Sequence, residues 1–219
     1  MNRKKEIIKI IDSIAGKYSA YEVFSDWIRC CSLAISNRSQ RERNKIWQDR
    51  ERMYMDTMRK YTVDEELKFA EMFALLAETL ETDIADILGQ IYMDSGMGSK
   101  AAGQVFTPYH LSELCAALIL PEPDENGIYR INEPSCGGGG MIIAAALAIK
   151  EQGMNYQRVM DVVAQDLDWK GVYMCYLQLS LLGIPAICVQ GSTLAKPYVP
   201  GATGAEHILI TPAKAGVLV

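Results

Sequence analysis

The sequence has no Cys-x-x-Cys pair, only two histidines, and no unbroken apolar run that would cross a bilayer. A structural zinc site needs clustered ligands at short spacing, so neither metal nor a metal-built fold is expected. Six cysteines, at positions 30, 31, 115, 136, 175 and 188, lie inside apolar surroundings. They read as small core residues of a protein in a reducing compartment. A membrane helix would need about 18 or more consecutive apolar residues, and none occurs, so no membrane association is expected. The N-terminus, Met1-Asn2-Arg3-Lys4-Lys5-Glu6, leads into apolar residues mixed with Lys9 and Asp12. That is an amphipathic helix and not a secretory signal, and the expected location is the cytoplasm. Internal repeats and low-complexity tracts are absent, as is the Gly-Lys-Ser/Thr ending of a phosphate-binding loop. There is also no overall basic excess: the net charge is −5.

What remains is the composition of a chain that buries a core, with 49% hydrophobic and 22% charged residues over 219 positions. Charge is uneven along it. Residues 37–60 hold Arg38, Arg41, Arg43, Lys45, Arg50, Arg52, Arg59 and Lys60 against Glu42, Asp49, Glu51 and Asp56. Such a stretch is either a solvated helix face laced with local ion pairs or a surface for phosphates, and the sequence leaves both open.

Residues 1–96 read as helices, a helical N-terminal region with no chemistry of its own. Ile7, Ile11 and Ile14 share one helical face. Ser19 with Glu22, and Thr62 with Glu65, form candidate capping boxes ahead of apolar-periodic segments. Another helix is expected from Asp83, with Ile84, Ile87, Leu88 and Ile91 turned inward, ending at a connector of Ser95-Gly96-Met97-Gly98-Ser99. Residues 97–219 then change rhythm. Short apolar runs at 128–132, 162–165, 186–189 and 207–211 alternate with helical segments near 141–150 and 168–182. That is the pattern of parallel strands joined by crossover helices, an α/β domain. Thr107-Pro108 reads as a helix start, with threonine as cap and proline in the first turn.

The most informative element follows the first strand: Glu133-Pro134-Ser135-Cys136-Gly137-Gly138-Gly139-Gly140, then an apolar helix. Glycines allow a tight turn and close backbone approach by a ligand, and the helix that follows presents free N–H groups. Twenty-six residues after Gly140 the second strand ends in Asp166, where a carboxylate can accept both hydroxyls of a ribose. Four residues separate strand and first glycine, unlike the Gly-x-Gly-x-x-Gly of nicotinamide-binding folds.

Gly103-Gln104-Val105-Phe106-Thr107-Pro108, the 133–140 turn, Ala164-Gln165-Asp166-Leu167-Asp168 and Gly191-Ser192-Thr193-Leu194 occur in that order. Together they resemble the N6-adenine DNA methyltransferases, closest to the modification subunits of type I restriction systems and their phage and plasmid relatives. The resemblance covers about residues 83–212. It implies a Rossmann-like class I methyltransferase core, shortened to about four parallel strands, and S-adenosylmethionine as cofactor. It also implies roles. Phe106, Thr107 and Pro108 would contact the methionine portion. Glu133, Pro134, Ser135, Cys136, Gly137 and Gly138 would cradle the cofactor, with Glu133 in place of the usual aspartate. Asp166 would take the ribose, Leu167 would pack on the adenine, and Ser192 would receive the adenine amine where an aspartate is common.

The family's catalytic signature, Asn/Asp/Ser-Pro-Pro-Tyr/Phe after the fourth strand, is here Thr211-Pro212-Ala213-Lys214. One proline persists, the stacking aromatic is missing, and Thr211 offers a hydroxyl alone. The resemblance makes Thr211 and Pro212 the candidate catalytic pair. With five residues after Lys214, a four-stranded sheet would also leave its last strand as an open edge, so a homodimer or a partner protein is expected. Two functions follow. One is methyl transfer to an adenine amine in DNA. The other is a cofactor-binding relative without chemistry, a regulatory or anti-restriction protein of a phage or mobile element, or a subunit completed by another chain. A purely helical interaction protein would explain residues 1–96 but not the glycine turn.

Overall fold

A computed structural model of the chain describes residues 3–96 and 106–217. Five helices come first: α1 Arg3–Ile14, α2 Ala20–Ser39, α3 Lys45–Met58, α4 Val63–Thr82 and α5 Ile87–Asp94. Both expected capping boxes form. Ser19 accepts from Glu22 N while the Glu22 carboxylate reaches back to Ser19 N, and Thr62 and Glu65 repeat the exchange. Each satisfies two backbone donors that a helix end otherwise leaves bare. The helix expected from Asp83 begins later, because Asp86 takes the cap by accepting from Gly89 N at 2.9 Å. Gly89 permits this: a Cβ there would collide with the Asp86 carboxylate. Met97, Gly98 and Ser99 of the expected connector, where the second region was expected to begin, lie outside the described residues.

The second part runs α6 Tyr109–Ile119, β1 Tyr129–Glu133, α7 Gly140–Glu151, the short α8 Tyr156–Val159, β2 Met160–Asp166, α9 Trp169–Leu181 and β3 Ala186–Gln190. It ends with β4 Ile208–Ile210 and the short α10 Pro212–Ala215. Helix α6 starts one residue later than Thr107-Pro108 suggests: Pro108 occupies the cap, and Thr107 makes no cap bond. The sheet order is β1-β2-β3-β4, with β1, β2 and β3 parallel, as two strand–helix–strand units require.

The expectation of four parallel strands needs correcting at β4, which pairs antiparallel with β3 through Ile187–Ile210, Cys188–Leu209 and Val189–Ile208. The reason lies in the connection. A parallel entry needs a crossover, usually a helix. Residues 191–207 hold only a 3-10 turn at Ala205–His207. They fold back over the sheet, where Gln165 Nε2 donates to Lys196 O and Gln165 Oε1 accepts from Tyr198 N. A chain that stays at the edge where β3 ends enters β4 from that same end and runs back along β3.

The sheet is covered unequally. On one face Tyr129, Met160, Val162, Ala164, Ala186, Cys188 and Leu209 are buried under the helices. On the other, Gln165 and Val189 are covered but Ile210 is 44% exposed. Helix α9 is the keystone. Val172, Met174, Cys175, Tyr176, Leu177 and Leu179 are all fully buried, and one apolar cluster joins them to Phe24, Trp27 and Ile28 of α2. The helical region and the sheet therefore share a core. Removing any of these large side chains would cost about 2–5 kcal/mol.

Candidate functional site

Strand β1 ends at Glu133, and the turn that follows is cross-linked to the end of β2. Cys136 N donates to Gln165 O at 2.9 Å, and Gly137 N donates to Asp166 Oδ2 at 2.8 Å. The other Asp166 oxygen accepts from Asp168 N at 2.9 Å. Each carboxylate oxygen retains a lone pair, since an ionised carboxylate offers about four acceptor sites. Gly137 and Gly139 have φ of 49° and 92°, backbone that residues with a Cβ adopt at a cost of about 1–2 kcal/mol. Space is tight as well: a Cβ on Gly137 would lie 2.8 Å from the Phe106 ring, and one on Gly139 would lie 3.1 Å from Cys175 Sγ.

Other expected site residues gather at the same place. Phe106 lies against Gly137 and packs edge-on to Tyr92, ring centres 5.1 Å apart. The loop after β3 is fastened by Gly191 N to Asp166 O at 2.8 Å and by the Thr193 hydroxyl to Pro134 O at 2.6 Å. Ser192 therefore sits between two anchors, its own hydroxyl accepting from Ala195 N. Leu167 is 69% exposed, an apolar side chain presented to solvent beside the carboxylate. Glu133 accepts from Ser135 N and the Ser135 hydroxyl, closing the base of the turn. Thr107 and Pro108 are exposed at the start of α6.

Thr211 and Pro212 are not part of this group. Thr211 is fully buried. Its hydroxyl donates to Ile184 O at 2.8 Å and accepts from Ala186 N at 2.9 Å, at the beginning of β3. The glycine turn and Asp166 stand where β1 and β2 end, and β3 is parallel to both. Thr211 is therefore at the opposite end of the sheet, about 13 Å away along β3 alone at 3.3 Å per residue. Pro212 is the buried first residue of α10, and Lys214 pairs with Asp161 at the start of β2. The antiparallel entry of β4 causes this, since it reverses which end of the strand follows the chain.

The structure also adds residues that the sequence reading missed. Behind the turn lies a buried polar group of Asp86, Gln178 and Ser112. Gln178 Nε2 donates to Asp86 Oδ1 and to Gly138 O, both at 2.8 Å, while its Oε1 accepts from Leu88 N at 2.9 Å. One side chain thus ties the glycine turn to the start of α5. Burial raises the Asp86 carboxyl above its usual range, offset in part by the bonds from Gln178 and Gly89. Lys170, also buried, donates to the hydroxyls of Tyr92 and Tyr21 at 2.9 and 3.2 Å, with its ammonium 4.6 and 4.7 Å from their ring centres. Burial opposes that charge, but the two hydroxyls outweigh it, and its pKa is raised. Two sequence signals were available: Gln178 is a polar residue inside an otherwise apolar helix, and Asp86 precedes Gly89 at capping distance.

A strand, a glycine turn with two left-handed residues, a helix and a carboxylate closing the next strand define a nucleotide-type cofactor fold. The family of N-6 DNA methylases matches residues 84–213, more than half of the chain. The chain belongs to that family. A search of curated proteins found no match. Among solved structures, a Listeria monocytogenes protein assigned to the class I S-adenosylmethionine-dependent methyltransferases aligns with 84% of this chain and 51% of its own. Its identity is 10% and its TM-score 0.45. The type I restriction-modification methyltransferase subunit of Streptococcus thermophilus aligns with 91% of this chain and 59% of its own, at 12% identity and a TM-score of 0.41. The chain thus spans between half and three-fifths of the length of these two structures.

Proposed function

We propose that this chain binds S-adenosylmethionine at the 133–140 turn, and that Thr211-Pro212 does not hold a target amine. The observation carrying the first half is the convergence on Asp166. Its carboxylate holds Gly137 N, its backbone holds Gly191 N, and Phe106 covers the same glycine. The residue types fit the cofactor. Asp166 would accept the ribose hydroxyls, Leu167 would pack on the adenine, and Ser192 would meet its amine. The turn through Gly138 and the residues Phe106, Thr107 and Pro108 would flank the methionine end. When bound, the cofactor supplies an electrophilic methyl group. The protein's part is to orient it and keep its ribose fixed.

The second half rests on the burial of Thr211 at the other end of the sheet. Methyl transfer to an adenine amine needs a polar clamp and a stacking surface beside the methyl group. We assign neither to residues 211–214. Transfer to DNA, the activity suggested by family membership, would take that clamp from outside the described residues or from a partner.

Calorimetric titration with S-adenosylmethionine tests the first half: binding is expected, and no heat at millimolar ligand would refute it. Transfer of labelled methyl to duplex DNA by the chain alone, lost in Asp166→Ala but also in Thr211→Val, would overturn the second half.

A further inference from the structure

The basic stretch at 37–60 separates into two sets. Arg52 pairs with Asp49, Arg59 with Asp56 and Lys60 with Asp26, while Arg50 donates to Ser36 and to Ile208 O. Those four cations are engaged in contacts within the chain. Arg38, Arg41, Arg43 and Lys45 form no ion pair with the described residues, and all four are exposed. They fall within the eight positions 38–45 at the corner between α2 and α3, with Glu42 as the one acidic residue in that span.

The corner is rigidly built. Asn37 Nδ2 donates to Trp47 O and Trp47 Nε1 donates to Asn37 O, both at 3.2 Å, pinning the end of α2 to the start of α3. Arg43 lies over the Trp47 ring, 5.0 Å from its centre. Between the helices is a cleft of about 470 Å³ lined by Arg38, Arg41, Arg43 and Trp47, with Glu51 held by Asn37 at 3.0 Å. Four cations against Glu42 and Glu51 leave a local excess of two positive charges in a chain whose net charge is −5.

We infer that this corner is a docking surface for the phosphate backbone of duplex DNA, separate from the cofactor site. Exposed cations free of ion pairs keep a hydration shell and counterion freedom that a polyanion exchanges favourably, and a pinned corner loses little entropy in doing so. An acidic chain that concentrates unpaired cations in one place steers anions to that place. Along α2, Arg38 is about 26 Å from Tyr21, which touches Lys170 near Asp166, at 1.5 Å per residue. DNA binding here and cofactor binding at the glycine turn are therefore separable. The choice of DNA over other polyphosphates rests on the family reading above.

The test measures binding of a fluorescent 20-base-pair duplex of arbitrary sequence by anisotropy across salt concentrations. The wild type is compared with a variant carrying Arg38→Gln, Arg41→Gln, Arg43→Gln and Lys45→Gln together. The expected result is at least about tenfold weaker binding and a salt slope reduced by about 0.9 per lost phosphate contact. Arg52→Gln with Arg59→Gln should change affinity less than about threefold, since these cations are already paired. Circular dichroism confirms that the variants fold. Unchanged affinity and slope in the fourfold variant, no binding by the wild type at low salt, or equal binding of polyglutamate would each overturn the inference. S-adenosylmethionine titration of the same samples separates the two readings. Cofactor binding without DNA binding refutes this inference alone, and DNA binding without cofactor binding refutes the proposed function alone.

Discussion

The two ends of the sheet carry similar-looking sequence and do opposite things. At one end, Glu133-Pro134-Ser135-Cys136 and four glycines leave a strand and remain partly open, with Leu167 exposed and Asp166 half-engaged. At the other, Thr211-Pro212 also leaves a strand, yet its hydroxyl is consumed by Ala186 N and Ile184 O. Both places put a polar residue at a strand terminus. What separates them is strand direction. Parallel strands bring their termini to one edge, where loops converge on a ligand, and one antiparallel strand sends its terminus to the opposite edge. A motif matched by order along the chain is therefore a site only if topology returns it to the others.

The largest expected effect tests what holds the open end open. In Gln178→Leu, the Asp86 carboxylate, Gly138 O and Leu88 N all lose a buried partner. At about 1–3 kcal/mol for each unsatisfied group, the loss should reach about 4 kcal/mol in urea denaturation. A loss under about 1 kcal/mol would mean that the turn is not supported from behind.

Next comes the turn itself. Asp166→Asn keeps one acceptor but points an amide N–H₂ at a backbone N–H, either that of Gly137 or that of Asp168. Affinity for S-adenosylmethionine should fall about 100-fold, or about 2.8 kcal/mol. An affinity within threefold of wild type would remove Asp166 from the site and leave it as a structural turn residue.

Thr211→Val is the matching experiment at the closed end. It should destabilise the chain by about 1–2 kcal/mol through the loss of two buried hydrogen bonds, yet leave cofactor affinity unchanged within about twofold. A stable variant with altered cofactor binding would bring the two ends together and undo the comparison.

Much of this was legible in the sequence because it is local. Capping boxes at Ser19 and Thr62 depend on residues three apart, and the strand–turn–helix at 129–151 depends on glycines and an apolar period. The approach of Phe106, Asp166 and Ser192 to the turn was available only through ordered resemblance, because no local rule brings positions 106 and 192 together. Two things were not legible. The direction of β4 depends on how residues 191–207 fold back over Gln165 and Pro134. The support behind the turn depends on Gln178 meeting Asp86 across 92 positions.

The smallest effect concerns Asp86 and carries a sign in pH. Burial raises its carboxyl above the ordinary 3.8 in the folded chain, so the folded state holds the proton to higher pH than the unfolded state does. Its contribution to stability is then fully present below 3.8 and is lost as pH rises through the folded value. Asp86→Asn should remove that component. Its oxygen would still accept from Gly89 N and Gln178, as Oδ1 does now. Its amide would stand where Oδ2 faces the region of the Ser112 hydroxyl, which is buried without a hydrogen-bond partner. The variant should therefore be more stable than wild type at neutral pH by about 1 kcal/mol, and the difference should shrink toward acid. Denaturation at several pH values measures it. A difference that grows toward acid would mean that the ionised form of Asp86 stabilises the folded chain, against the direction that burial sets.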